Sequence, residues 1–173
     1  MTPEHVRTIA VLLVACLAVA FDVRTRRIPN VLNFGAALAA LVFAFANAGF
    51  QGAVTAATAW LLGVVLFFPV FALKGMGAGD VKLLAALAAW LSPLDAVYLA
   101  FFASLAGGLI AAFVAIVRGY ARQTVSNLWL MLMHWRVVGP RPVPGLTLED
   151  ERAPRLAYAI PIAVGALCTL WRH

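Results

Sequence analysis

Charge is what this chain has least of. Only 12% of its 173 residues are Asp, Glu, Lys or Arg, against 64% hydrophobic. No charged residue falls between Arg27 and Lys74, and none between Lys82 and Asp95. A soluble domain of this length cannot hide so much apolar surface, so the composition points to an integral membrane protein with one domain spanning 1–173. Its long apolar runs make it all-α, a polytopic bundle whose partner is the lipid bilayer. Cysteine is scarce too. Cys16 and Cys168 lie inside apolar runs with no Cys-x-x-Cys, which leaves zinc unsupported and reads as two small buried hydrophobes. His5, His134 and His173 show no ligand spacing, so neither a metal nor another cofactor is expected. There is no Gly-x-Ser-x-Gly to support a serine nucleophile. The net charge of +6 comes from basic residues in short segments between apolar runs. That is the pattern of membrane topology and not of a phosphate-binding face, so nucleic acid is no partner.

What is present divides into helices. The first apolar run ends at Phe21 and predicts a helix over about 4–22. Ala18-Val-Ala20 resembles a signal-peptide cleavage site, but Arg24, Arg26 and Arg27 just beyond it oppose translocation, so the run reads as a transmembrane helix. Asp22 to Asn30 is a polar break, with Pro29 fixing a non-helical entry and Asn30 as N-cap of the next helix. Residues 28–73 carry no charge. As one rod they would run roughly 70 Å, against a bilayer core of about 30 Å, so the segment must cross twice. Asn47-Ala-Gly-Phe-Gln-Gly52 supplies the turn, giving helices over 31–46 and 53–73, the second kinked at Pro69. After Lys74-Gly-Met-Gly-Ala-Gly-Asp80 come helices over 81–91 and 95–117. Segment 118–153 is the least apolar; its stretch Leu128–Trp135 is expected to lie along the interface. Pro140, Pro142 and Pro144 break structure, Glu149-Asp-Glu-Arg152 reads as a solvated turn, and a last helix runs over 154–171. The total is about six transmembrane helices.

Eleven of the 13 Lys and Arg residues fall after the first, third and fifth of these helices. The positive-inside preference then puts those loops in the cytoplasm and both termini outside. On that topology Asp22, ending the first helix, and Asp80, starting the fourth, reach the same face. An acid in apolar surroundings reads as functional by default. Two carboxylates held close cannot both ionise cheaply, so one keeps a proton and the pair offers an acid and a base. Helix ends favour that proton on Asp22, near a C-terminus, and the anion on Asp80, near an N-terminus, while Arg24 beside Asp22 opposes this division. The plainer reading stands beside this one: Asp80 caps its helix, and Asp22 pairs with Arg24 or Arg26. Gly75, Gly77 and Gly79 offer left-handed dihedrals and close backbone approach, and with Lys82 they complete the loop around Asp80. Lys82 itself reads first as a snorkelling topology marker.

Asp22-Val-Arg-Thr-Arg-Arg-Ile-Pro-Asn30, followed by Met76-Gly-Ala-Gly-Asp-Val-Lys-Leu83, resembles the type IV prepilin peptidases, aspartic proteases of the membrane. Both signature regions occur in order within a matching helical frame. Near the end, Ala157-Tyr-Ala-Ile-Pro-Ile162 is similar to the family's closing segment, with alanine where a proline often precedes the tyrosine. The Gly-x-Gly-Asp string is also similar to that of presenilin-like proteases. The resemblance implies that Asp22 and Asp80 are the catalytic pair. It further implies that the substrate is a prepilin whose basic leader is cut at the cytoplasmic face of the bacterial inner membrane, just before its apolar helix. The cysteine-rich insert of larger members is missing, so the chain resembles the short form of Flp/Tad-type systems, and no methyltransferase activity is implied. Arg24, Arg26 and Arg27 read as a topology signal before a leader contact, because the leader is also basic. Two rival classes remain at this point: a non-enzymatic scaffold of a pilus or secretion assembly, and a small proton-coupled transporter. Neither explains the chain as well, since a scaffold needs no costly acids and a transporter needs more buried polar groups.

Overall fold

A computed structural model describes residues 2–141, 143 and 157–172. Six helices follow one another: α1 Pro3–Thr25, α2 Asn30–Ala72, α3 Ala78–Ala88, α4 Pro93–Val117, α5 Ala121–Val138 and α6 Ala159–Trp171. Among the described residues there is no strand. Three helices, α1, α2 and α4, are long and apolar enough to cross a membrane.

The expected helices map onto these with several corrections. The two apolar helices over 31–46 and 53–73 are the arms of α2. Between them Ala48 (φ −137°, ψ 19°) and Gly49 (φ 59°, ψ −148°) leave helical geometry. The positive φ at Gly49 is what a side chain would resist. The arms fold back on each other, so that Asn33 and Phe34 of one line the same groove as Phe68 and Phe71 of the other. Asn30 does not cap α2. Pro29 takes that position with extended dihedrals and Asn30 is the first helical residue. The first helix does not stop at Asp22 but continues to Thr25, where Arg26 closes it in the left-handed conformation (φ 53°). Segment 118–153 holds an 18-residue helix, α5, which buries none of its side chains and, among the described residues, packs on α4. The last helix begins at Ala159. Its expected first residues, 154–156, lie outside the described residues, as do Pro142, Pro144 and the Glu149–Arg152 turn.

α3 is the axis of the bundle. Leu83, Leu84, Ala85, Ala86, Leu87 and Ala88 have no exposed surface, because α2, α4, α6 and α1 all pack around this one short helix. A helix apolar on every side belongs inside. The neighbours come close because they present small residues. A Cβ on Gly63 would sit 2.8 Å from the Ala85 Cα, and one on Gly165 would sit 2.6 Å from the Ala103 nitrogen. The large apolar side chains point outward instead, among them Leu13, Leu38, Phe45, Leu109 and Phe113. Both cysteines are on that outer surface and not in the core. An outer surface so rich in leucine and phenylalanine suits lipid as its solvent.

One end of the bundle is closed by a polar cluster that the sequence reading did not single out. Arg172 Nη2 meets Asp95 Oδ1 at 2.7 Å, and its guanidinium lies 3.9 Å from the centroid of the Tyr98 ring. Ser92 Oγ–H donates to Asp95 Oδ2 at 2.6 Å and accepts the Asp95 N–H at 3.1 Å, capping α4.

The close crossing at Gly165 makes a clean test. Gly165→Ala forces α4 and α6 apart and is expected to cost about 1–3 kcal/mol, the usual cost of overpacking. Gly108→Ala, where an added Cβ meets nothing within 4 Å, is expected to be neutral or slightly stabilising. Thermal melts of the two proteins in one detergent check this, and equal midpoints would contradict the packing described.

Candidate active site

Asp22 continues a buried stripe on α1. Val11, Ala15, Ala18 and Asp22 recur at helical spacing and are the buried residues of that helix. The stripe thus carries an acid into the interior at the end opposite to Arg172, with only 7% of its surface exposed. It meets the first turn of α6, where backbone N–H groups have no partner inside the helix. Asp22 Oδ2 accepts the Ala159 N–H at 3.1 Å. A carboxylate at a helix N-terminus also answers the positive end of the helix dipole.

Asp80 lies in the first turn of α3, outside the three long apolar helices. The chain reaches it through a tight turn. The Lys74 N–H bonds to Phe71 O at 2.8 Å, and the Gly75 N–H to Val70 O at 2.9 Å. The left-handed residue of this turn is Lys74 (φ 58°); none of Gly75, Gly77 and Gly79 has positive φ, so the expected use of these glycines is corrected. Two of the three serve close approach. A Cβ at Gly77 would stand 3.1 Å from Asp80 Oδ2, and one at Gly75 would stand 3.3 Å from Val70 Cγ1. At Gly79 the nearest atom, Ile28 Cβ, is at an ordinary 3.7 Å.

The two acids act on each other. Burial first, and the Asp22 carboxylate second, push the Asp80 carboxyl up to about 7, against an opposing backbone hydrogen bond from Gly77. The expected division of the proton is therefore reversed. Asp22 does lie in the last turn of α1, whose cap Arg26 bonds back to its carbonyl, but its carboxylate also meets the N-terminus of α6. Asp80 is the member that retains a proton near neutrality.

Asn33 holds Asp80 from behind. It is 1% exposed, and its Nδ2–H donates to Gly79 O at 3.2 Å, across from the first arm of α2. Sequence reading noticed Asn33 only as a polar residue in an apolar run, since nothing local pairs it with a residue 46 positions away. Tyr158 is a second neighbour that sequence reasoning did not assign to the site. It precedes Ala159, is half-buried, and feels the Asp80 charge. The signal was its place in Ala157–Ile162, but only the fold brings that segment to the acids.

Other expected residues stand apart. Lys82 points to α2, donating from Nζ to Asn30 Oδ1 at 3.0 Å and lying 5.4 Å from the centroid of the Phe34 ring. It braces α2 against α3 on the side away from Asp80. Arg24, Arg26 and Arg27 are exposed. A groove of about 280 Å³ between the arms of α2 and α3 is lined by Trp60, Val64, Phe68 and Val81 among others, and by neither acid. Among the described residues, no three His, Cys, Asp or Glu side chains gather to hold a metal ion. Chemically, the site offers one buried carboxylate, one half-buried carboxylic acid and a phenol at the end of an apolar bundle.

The sequence profile of the type IV leader peptidase family matches residues 9–112, a span that contains both acids. No curated protein and no solved structure matches the chain.

Replacing Asn33 by Leu removes its bond to the part-buried Gly79 carbonyl, and with it the Asn33 Oδ1, which is buried without a partner among the described residues. The expected loss is about 0.5–1.5 kcal/mol, the net worth of one hydrogen bond. Asn47→Leu, at an exposed position, is the control and should change little. Melting midpoints compared in the same detergent decide whether the bond holds the turn.

Proposed function

The chain belongs to the type IV leader peptidase family, and on that premise we propose that it is an aspartic endopeptidase that removes the basic leader of Flp-like prepilins, with Asp22 and Asp80 as its catalytic pair. The observation that carries this reading is the pairing itself: two acids 58 positions apart, on different helices, act on one another at one end of an apolar bundle. A capping acid and an interfacial ion pair would have no reason to meet. Family membership gives the protease class, and the membrane follows from the long apolar helices.

In the mechanism we assign, Asp22 is the base and Asp80 the acid. A water bound between them loses a proton to Asp22 as its oxygen bonds to the scissile carbonyl carbon. The Asp80 proton passes to the carbonyl oxygen, giving a neutral tetrahedral diol. The proton on Asp22 then moves to the amide nitrogen, the C–N bond breaks, and Asp80 recovers a proton from the collapsing diol. No covalent enzyme intermediate forms. The half-buried setting of Asp80 leaves it open to a peptide, while Asp22 stays fixed by its bond to α6. The apolar helix of the substrate packs in the bilayer against this bundle, with its unwound leader reaching the acids. On the topology of the basic loops the site faces the cytoplasm and both termini lie outside, in a multi-pass protein of the bacterial inner membrane.

Two outcomes are expected. Asp22→Asn and Asp80→Asn each lose prepilin cleavage by at least about 10²–10⁴-fold, the contribution of a positioned acid or base, while staying folded. Retained cleavage in either would remove the pair. The second concerns pH. Asp80 must hold its proton to act as the acid, and its carboxyl titrates at about 7. On the alkaline side cleavage is therefore expected to fall as pH rises through that value. Initial rates across pH, with the melting midpoint followed alongside, check the sign.

A further inference from the structure

We propose that Tyr158 is a third catalytic residue, whose hydroxyl donates a hydrogen bond to the oxygen of the scissile carbonyl and holds it as the carbonyl carbon becomes tetrahedral. The inference rests on the Asp22/Asp80 reading above and adds to it. Its geometric basis is the junction of α6 with the pair. Ala159, bonded through its N–H to Asp22 Oδ2 at 3.1 Å, fixes the residue before it. The Tyr158 ring is wedged against α4, with Cε1 3.9 Å from the place a Cβ on Gly107 would take. It also packs against the buried core.

The hydroxyl is placed differently from the ring. Among the described residues it forms no hydrogen bond, and it is not among the fully buried polar atoms left without a partner, so it is open to a bound molecule. Tyr158 is one residue from the Ala159 N–H that meets Asp22, which sets it beside the pair; burial first, and the charge of Asp80 second, raise its phenol above the usual range. The other donor near the acids, the Ala159 N–H, is already used by Asp22. Tyr158 is thus a side chain beside the pair with a proton to offer a substrate oxygen while keeping it at neutral pH, since a phenol titrates near 10. In the proton movements assigned above it remains protonated throughout: it accepts nothing, transfers nothing, and strengthens its bond as charge gathers on the carbonyl oxygen. A donor aimed in this way contributes most in the transition state.

Full-length protein in detergent, with a purified Flp-type prepilin as substrate, provides the test. Tyr158→Phe removes one oxygen that has no partner among the described residues, so the melting midpoint should not move. The expected result is a fall in kcat of about 10²-fold, the cost of losing one such donor, with KM within twofold of wild type. Unchanged kcat, a loss confined to KM, or a loss that follows a lowered melting midpoint would each overturn the proposal. Asp80→Asn measured alongside separates the two readings. An inactive Asp80→Asn with a fully active Tyr158→Phe sinks the tyrosine alone, whereas an active Asp80→Asn sinks the pair and the tyrosine's role with it.

Discussion

A carboxylate can sit inside an apolar bundle only if something polar meets it there. The bond from the Ala159 N–H to Asp22 is that meeting, and it joins positions 137 apart in the chain. Both sides of the bond gain. The first turn of α6 has N–H groups that its own helix cannot satisfy, and Asp22 has lone pairs that lipid and alanine cannot satisfy. Removing either partner would leave the other exposed to an apolar surrounding. The bond also sets where α6 begins and so where Tyr158 falls. At the opposite end of α6 a separate polar cluster, Arg172 with Asp95 and Ser92, satisfies the remaining buried acid. The polar chemistry of the bundle is thereby sorted to its two ends, and only one end keeps a pair of acids together.

Between those ends the energetics differ from those of a soluble core. Where the outer solvent is lipid, moving a leucine from the surface of α3 to the interior gains little from water release, because lipid is as apolar as the protein. Contact density must do the work, and that explains the composition of the α3 surroundings. Alanine and glycine on α2, α4 and α6 let backbones approach until a single added carbon at Gly63 or Gly165 would collide. The larger side chains are left to face outward. A short, rigid, fully surrounded helix is a good mount for an acid. Asp80 projects from its first turn, and Asn33 and the Gly75–Gly77 turn restrain the backbone on either side. Position is passed from packing to chemistry through very few bonds.

Much of this was legible in the residues. Asp22 and Asp80 stand out because charge is so rare around them, and a 46-residue uncharged run has to reverse whatever its details. The location of the reversal was legible because Gly49 accepts a backbone that alanine resists. The ends of elements were harder. α1 outlasts Phe21 because Arg26, with no glycine to advertise it, closes the helix in a left-handed conformation. The same held at the turn before α3, where three glycines suggested positive φ and Lys74 supplied it instead. Lys82 looked like part of the active loop from its distance in sequence. Helical geometry turns it away from Asp80, onto Asn30.

The proton of the pair shows why such errors matter for chemistry. Reasoning from helix ends placed it on Asp22, and each step of that reasoning was sound for an acid at a C-terminus. What that reasoning lacked was α6. Asp22 does lie in the last turn of α1, but its carboxylate meets the positive end of α6. Asp80 does keep its N-terminal position, and a backbone hydrogen bond from Gly77 still favours its anion, but burial and the charge of Asp22 outweigh it. The acid–base order of the pair is therefore a tertiary property. It follows from which helix end is aimed at which carboxylate, and the α6 segment that decides it is separated in sequence from both.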